Sequence, residues 1–194
     1  MTISIGLFAY PDMELLSFAG PYQVFATAQE LGAENGGDTI RLVTIATSLD
    51  PVVVRGGAAV MPQATIHDHL DLTCLIIPGG GDVDAQIECQ EVVDWLRGQA
   101  RVVPIVASVC TGAFLLAQTG VLSGLQATTH ALQVNDLRHR FPAMDVIESH
   151  RWVDTGRFVT SAGLSAGIDM ALHLLERLTS HELAVQTARQ LELS

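Results

Sequence analysis

The sequence contains no lysine, since all ten of its basic residues are arginine. That absence excludes a Schiff-base lysine, and with it pyridoxal-phosphate chemistry, and it also excludes the lysine of a phosphate-binding P-loop. Cysteine is scarce as well: Cys74, Cys89 and Cys110 form no CxxC pair and are too few for the disulfide framework of a small secreted domain. We therefore expect a reducing compartment, the cytoplasm, and the first residues show no signal-peptide pattern.

Basic residues are few: ten arginines stand against 21 acidic residues, which gives a formal net charge of -11. This balance argues against a nucleic-acid binder, whose affinity comes largely from neutralising phosphates. With 194 residues, 48% of them hydrophobic, the chain is expected to fold as one domain over residues 1–194 and to bury about 70% of its unfolded surface. The uncharged stretch between Arg101 and Asp136 matches a membrane span in length, but Pro104 and Gly112 interrupt it. It predicts a buried strand followed by a buried helix, not a membrane segment.

Apolar, β-branched runs alternate with helical periodicity along the chain. The predicted strands are Ile3–Phe8, Ile40–Ala46, Thr73–Pro78, Val102–Ala107 and Phe158–Ser161, with a weaker one at Asp145–Ile147. The predicted helices are Gly20–Leu31, Ile87–Ala100, Thr111–Gln118, Asn135–Arg140, Ser165–Leu178 and His181–Leu191. This alternation predicts an α/β fold, a doubly wound sandwich with a mostly parallel central sheet. Ligands of such sheets bind beyond the carboxyl ends of the strands.

Cys110 occupies such a position, between a predicted buried strand and a predicted helix. The small residues Ser108-Val109-Cys110-Thr111-Gly112-Ala113 have the pattern of a nucleophile elbow, which exposes its central side chain above the sheet. The start of a helix also stabilises a thiolate and lowers a cysteine pKa. The alternative is a buried structural cysteine, which is the interpretation we favour for Cys74, inside an apolar strand.

Two further segments could complete a site around this cysteine. Pro78-Gly79-Gly80-Gly81 follows a predicted strand, and its N–H groups form either an oxyanion hole or an ordinary turn. His130 ends an uncharged β-like segment and is either a functional histidine or a packed one. His67-Asp68-His69 offers too few ligands for a metal site, so neither a metal nor a cofactor is predicted.

Four ordered motifs together resemble the DJ-1/PfpI superfamily. They are PGGG at 78–81, SVCTGA at 108–113, TTH at 128–130 and SAGLSAGIDMAL at 161–172. Within the superfamily the sequence most resembles isonitrile hydratases and the amidase-like domains of AraC-type regulators, over essentially the whole chain. The resemblance implies a flavodoxin-like sandwich, commonly a homodimer, with a reactive cysteine on the elbow.

The resemblance also implies roles for individual residues. It maps the nucleophile onto Cys110, places the N–H groups of Thr111, Gly79 and Gly80 around the developing anion, and maps His130 onto a histidine near the cysteine.

One position departs from the family pattern. Members carry Asp or Glu four residues before the proline of a Gly-Pro motif, where this chain has Ser17. In the hydratases that carboxylate is the general acid/base. A serine hydroxyl can donate a hydrogen bond to a thiolate, but it does not titrate near neutral pH. Glu14, three residues earlier, approaches the same side if the segment is helical, and is otherwise a solvated loop carboxylate.

The sequence therefore predicts a cysteine-dependent hydratase or hydrolase of a small carbon–nitrogen or carbonyl compound, similar to isonitrile hydratases, that acts as a homodimer on a small-molecule substrate. One alternative is the handling of aldehydes such as methylglyoxal, which in relatives also requires the missing carboxylate. Another is a ligand-binding or thiol redox-sensing protein without catalysis, which the serine at position 17 favours. A DNA-binding regulator is a special case that we do not expect, because the chain is acidic and ends soon after its last predicted helix.

Overall fold

The computed structural model describes residues 2–34, 39–81 and 83–193. Its strands are β1 (Thr2–Phe8), β2 (Thr39–Ala46), β3 (Val52–Val53), β4 (Ala59–Val60), β5 (Ala64–Thr65), β6 (Cys74–Ile77), β7 (Ile105–Val109), β8 (Gln126–Ala127), β9 (Asp145–Val146), β10 (Trp152–Asp154) and β11 (Phe158–Ser161). Its α-helices are α1 (Leu15–Glu34), α2 (Asp84–Glu88), α3 (Gln90–Val102), α4 (Gly112–Gln118), α5 (Val134–Arg140), α6 (Ala166–Leu178) and α7 (His181–Gln190). A 3-10 turn at Ala131–Gln133 precedes α5.

The main sheet has the strand order β10-β11-β7-β6-β1-β2-β5. Its pairs are parallel except β10–β11. Every residue of β6 and β7 is buried, which explains why their sequences are apolar on both faces. The register pairs Ile77 with Ser108 and Val109 with Ser161. The carboxyl ends of β6, β7 and β11 therefore lie side by side, and each is followed by a segment that the sequence singled out.

Helices pack in two groups, α1 with α6 and α7, and α2 and α3 with α4. Together with the mostly parallel sheet, this confirms the predicted α/β sandwich. Helix α4 is almost wholly buried, as its uncharged sequence predicted. None of the helices in the described ranges has the length and apolar character needed to cross a bilayer.

Several predicted boundaries are wrong. Helix α1 begins at Leu15, five residues before the predicted start, and it accommodates Pro21. Helix α3 continues to Val102, so β7 begins only at Ile105, after Pro104. The weak strand near 145 pairs with β8 in a separate two-stranded sheet. The early start of α1 places Glu14 immediately before the first helical turn.

Candidate active site

Cys110 connects β7 to α4 with a backbone φ of +57°. A left-handed conformation costs a residue other than glycine about 1–2 kcal/mol, so the surrounding structure must maintain it. The Cys110 N–H donates to the carbonyls of Ser161 and Ala162, both at 3.1 Å, and the Cys110 carbonyl accepts from the Thr129 hydroxyl at 2.7 Å. This is the backbone conformation of a nucleophile elbow, held on two sides by neighbouring segments.

Glycine is required where the turn after β6 meets the start of α4. A Cβ atom added to Gly112 would lie 2.4 Å from the carbonyl oxygen of Ile77, and one added to Gly79 would lie 2.8 Å from both the Cβ of Cys110 and the backbone nitrogen of Thr111. Both distances are shorter than van der Waals contact. The PGGG and SVCTGA motifs are therefore two halves of one tightly packed junction.

The sulfur of Cys110 lies in a buried, hydrogen-bonded environment. Cys110 is 8% exposed. Burial raises the pKa of Cys110, and this effect outweighs hydrogen bonds from the N–H groups of Thr111 and Leu164 and from the Thr111 hydroxyl, while the charge of Glu14 raises the pKa further. The lowered pKa expected from the helix start is therefore wrong, because desolvation dominates over the short helix α4.

The Thr111 hydroxyl joins the elbow to the glycine turn. It accepts the N–H of Gly80 at 2.9 Å and donates to the Gly80 carbonyl, also at 2.9 Å. Because a hydroxyl carries one proton, it donates either to Gly80 or to the sulfur at any moment. The N–H groups of Gly80 and Thr111, expected around a developing anion, thus bind protein atoms in this structure. Their oxyanion role requires exchange of these partners and stays a prediction.

A cavity of about 370 Å³ opens next to the sulfur. This volume is in the range of small-molecule sites. The lining residues come from six segments: Glu14, Arg55, Gly80, Gly81, Val83, Asp84, Cys110, Thr111, Phe114, His130, Leu132, Gln133, Asp136, Arg140 and Leu164. Cys110, Thr111, Gly80 and His130 thus share one cavity, whereas Gly79 packs beneath it against the elbow.

Arg140 is engaged by other groups of the cavity wall. Its Nη1 lies 2.7 Å from Oδ1 of Asp84 and 3.7 Å from Oδ2 of Asp136, and its guanidinium carbon lies 5.2 Å from the centre of the Phe114 ring. Two carboxylates therefore neutralise this cation, and it stabilises the wall more than it attracts an anionic ligand.

Glu14 lies in the cavity wall with Cys110. Its N–H donates to the carbonyl of Gly79 at 2.8 Å, and its carbonyl accepts the N–H of Ser17 at 3.0 Å. Arg55, in the turn between β3 and β4, places Nε 3.9 Å from Oε2 of Glu14. The Glu14 side chain is 37% exposed, so its carboxylate is reachable both from solvent and from the cavity.

Ser17 has a different environment. It is fully buried, and its hydroxyl has no hydrogen-bond partner within the ranges that the structure describes. It is not among the residues that line the cavity. Ser17 occupies the position of the family's acid, and the expectation that its hydroxyl donates a hydrogen bond to the Cys110 thiolate stays a prediction.

His130 has a defined hydrogen-bonding direction. Its Nδ1 accepts the N–H of Leu132 at 3.2 Å, and its ring packs against Gly163, next to the Leu164 N–H that binds the sulfur. A neutral ring that accepts at Nδ1 carries its proton on Nε2. The neutral form of His130 therefore offers an N–H donor at Nε2 and no free nitrogen as a base.

The two other cysteines lie outside this cavity. Cys74 is fully buried in β6, and burial raises its pKa to about 12, against a smaller opposite effect of Arg177. Cys89 lies between α2 and α3 and is half-buried.

Sequence reasoning missed two groups that shape the site. Leu164 has a φ of +24°, and its N–H donates to the sulfur of Cys110. Leucine rarely adopts a positive φ, so the sequence gives no signal for this conformation. Tyr10 is fully buried, and its hydroxyl donates a hydrogen bond to the carbonyl of Pro78 at 2.9 Å. This bond fixes the start of the glycine turn. Burial, followed by the charges of Cys110 and Asp12, raises the pKa of Tyr10.

Comparison with known proteins places these features in a family context. The model of the DJ-1/PfpI family matches residues 3–177. Isonitrile hydratase of Pseudomonas putida is 32% identical over 192 residues, which cover 99% of this chain and 79% of that protein. The HTH-type transcriptional regulator GbdR of Pseudomonas aeruginosa is 29% identical over 181 residues; they cover 93% of this chain but only 48% of the regulator, about half its length. A solved THiJ/PfpI family protein from Pseudomonas syringae superposes with a TM-score of 0.87 at 27% identity, over 99% of this chain and 75% of that one.

Proposed function

The chain belongs to the DJ-1/PfpI family, and on that premise we propose that it is a cysteine-dependent hydratase of a small carbon–nitrogen compound, with an isonitrile as the substrate. The observation that carries the proposal is the buried Cys110 thiol on its left-handed elbow beside a cavity of about 370 Å³. The 32% identity to an isonitrile hydratase supports the substrate class.

The first chemical step suits a neutral thiol. The terminal carbon of an isonitrile carries a lone pair that takes up a proton, and the same carbon then accepts the sulfur electron pair. The S–H bond breaks, a C–H and a C–S bond form, and the product is a thioimidate attached to Cys110. Burial raises the pKa of Cys110, which favours the protonated thiol as the source of the proton that this carbon needs.

The second step consumes water. A water molecule adds to the thioimidate carbon while the nitrogen takes one of its protons. The C–S bond then breaks, the second water proton returns to sulfur, and an N-substituted formamide leaves. The sum is isonitrile plus water to formamide, with no oxidant, reductant or metal in the balance. Leu164 and Thr111 N–H groups stabilise charge on sulfur as it departs.

The test is hydration of cyclohexyl isonitrile by the purified protein, followed as formamide by chromatography. We expect turnover by the wild type and by Cys89→Ala, whose thiol lies outside the cavity, and background formation by Cys110→Ala. Formamide production at the same background rate by all three proteins would overturn the proposal for isonitriles. A parallel assay with methylglyoxal tests the carbonyl alternative, which requires Cys110-dependent loss of the aldehyde.

Homodimer formation, implied by the family resemblance, belongs to the same proposal. Light scattering coupled to gel filtration measures it directly, with about twice the chain mass of 20.7 kDa as the expected result.

A further inference from the structure

The proposed reaction needs a group that transfers the thiol proton to the isonitrile carbon, and no residue has yet been assigned to this role. Sulfur and its proton must both reach one carbon atom, and they cannot approach it along the same line. A second group must accept the proton from sulfur and deliver it from another direction. That group must titrate and must face the cavity, which a serine hydroxyl at position 17 does not satisfy.

The charged and titratable groups in the cavity wall narrow the choice. Asp84 and Asp136 are both bound to Arg140. His130 in its neutral form has its proton on Nε2 and its Nδ1 occupied by Leu132. Glu14 also has a cationic neighbour, Arg55, 3.9 Å from its carboxylate, but its charge acts on the Cys110 thiol and its N–H binds the Gly79 carbonyl beside the elbow.

The backbone around Glu14 holds it next to the elbow. Its N–H is bound to the carbonyl of Gly79, the residue that packs directly on Cys110 and Thr111. On the preceding side, Met13 pairs with Gly80 as an isolated β-bridge and its carbonyl accepts the N–H of Arg55 at 3.0 Å. On the following side the first turn of α1 begins. The position of Glu14 is thus fixed from three directions, while its side chain keeps access to the cavity.

We propose that Glu14 is the proton-transfer residue of this site, one helical turn before the position at which the family resemblance places an acid. This inference rests on the proposed hydratase function. The Glu14 carboxylate accepts the thiol proton and gives it to the isonitrile carbon as the C–S bond forms. In the second step it accepts a proton from the attacking water and gives it to the nitrogen, and the carboxylate is then ready for the next turnover.

The test compares Glu14→Gln with Glu30→Gln, the same substitution at an exposed position of α1, the helix that follows Glu14. Loss of one positioned acid/base group lowers rates by about 10²–10⁴-fold. We expect a loss of that size in kcat/KM for isonitrile hydration by Glu14→Gln, partial recovery in Glu14→Asp, and no loss in Glu30→Gln.

A pH profile separates proton transfer from a structural effect. Because the step requires the ionised carboxylate, wild-type kcat/KM should fall about tenfold per pH unit on the acid side. This limb should be absent in Glu14→Gln and present in Glu14→Asp, while any contribution from His130 remains in all variants. A Glu14→Gln protein with wild-type rate and profile, together with an inactive Cys110→Ala protein, would refute the role of Glu14 and leave the hydratase proposal intact. A wild-type protein without any hydration would overturn both.

Discussion

The left-handed backbone at Cys110 predicts an inverted preference between alanine and glycine. At a φ of +57° a side chain costs about 1–2 kcal/mol that glycine does not incur. Glycine loses about 0.4–1 kcal/mol of this advantage because its unfolded chain is more flexible. We therefore expect Cys110→Gly to unfold with a free energy about 0.8 kcal/mol higher than that of Cys110→Ala, the difference between the centres of these two ranges, whose limits allow about 0 to 1.6 kcal/mol.

Gly98 provides the matched control. It is exposed in the middle of α3, and a Cβ atom there would meet nothing within 4 Å. Alanine in a helix interior is more favourable than glycine by about 0.5–1 kcal/mol, so Gly98→Ala should stabilise the protein. The alanine–glycine difference should thus have opposite signs at the two positions.

Equilibrium urea unfolding measures both differences, since the midpoint shifts with stability at constant slope. Both variants at position 110 lack the thiol, so the loss of its hydrogen bonds cancels in the comparison. If Cys110→Ala proves more stable than Cys110→Gly by the amount measured at Gly98, the elbow stores no backbone strain and the reasoning fails.

Three further expectations follow from the junction, the thiol and the edge of the sheet. Gly112→Ala should lower the free energy of unfolding by about 1–3 kcal/mol, because the new methyl would lie 2.4 Å from the Ile77 carbonyl; an unchanged urea midpoint would contradict this packing. Alkylation of Cys110 by iodoacetamide, followed by peptide mass spectrometry, should still accelerate between pH 8 and about 9.5, because the pKa is raised, whereas a plateau near pH 7 would indicate a stabilised thiolate. Burial opposes ionisation of Asp154, but hydrogen bonds from His173 and the N–H of Gly156, with the charge of Arg177, hold its pKa below its ordinary value of 3.8. The stabilisation from the ionised carboxylate is therefore complete above 3.8 and is lost as the pH falls through the depressed pKa. The urea midpoints of wild type and Asp154→Asn should differ at pH 7 and converge once the pH is below that depressed pKa.

The strands of the sheet were predictable because burial on both faces leaves an uninterrupted apolar run. Phe158–Ser161 is found with the predicted bounds, and Ile3–Phe8 differs from β1 by one residue. The start of β7 was not predictable from apolarity, because Val102 is apolar yet ends α3, where it is 73% exposed. Nothing in the composition separates an exposed valine at a helix end from the buried ones that follow Pro104.

The site was predictable only where a local pattern carries it. The elbow around Cys110 combines small residues, a preceding strand and a following helix, so its conformation is visible in the sequence. The approach of Glu14 and the N–H contact from Leu164 depend on three distant segments that meet at one edge of the sheet. The sign of the pKa change at Cys110 depends on how deeply those segments bury the sulfur, which no spacing of residues expresses.

The outermost strands of the main sheet have a consequence for behaviour at high concentration. Strands β5 and β10 have two and three residues, and β10 also contacts β8. The unpaired N–H and C=O groups of a long, flat edge strand can form hydrogen bonds with a strand of another chain, which leads to aggregation. Here β5 pairs with only Ile45 and Ala46 of the eight-residue strand β2, so most of β2 faces the margin, where the exposed Arg41 places a charge that opposes pairing with an incoming chain.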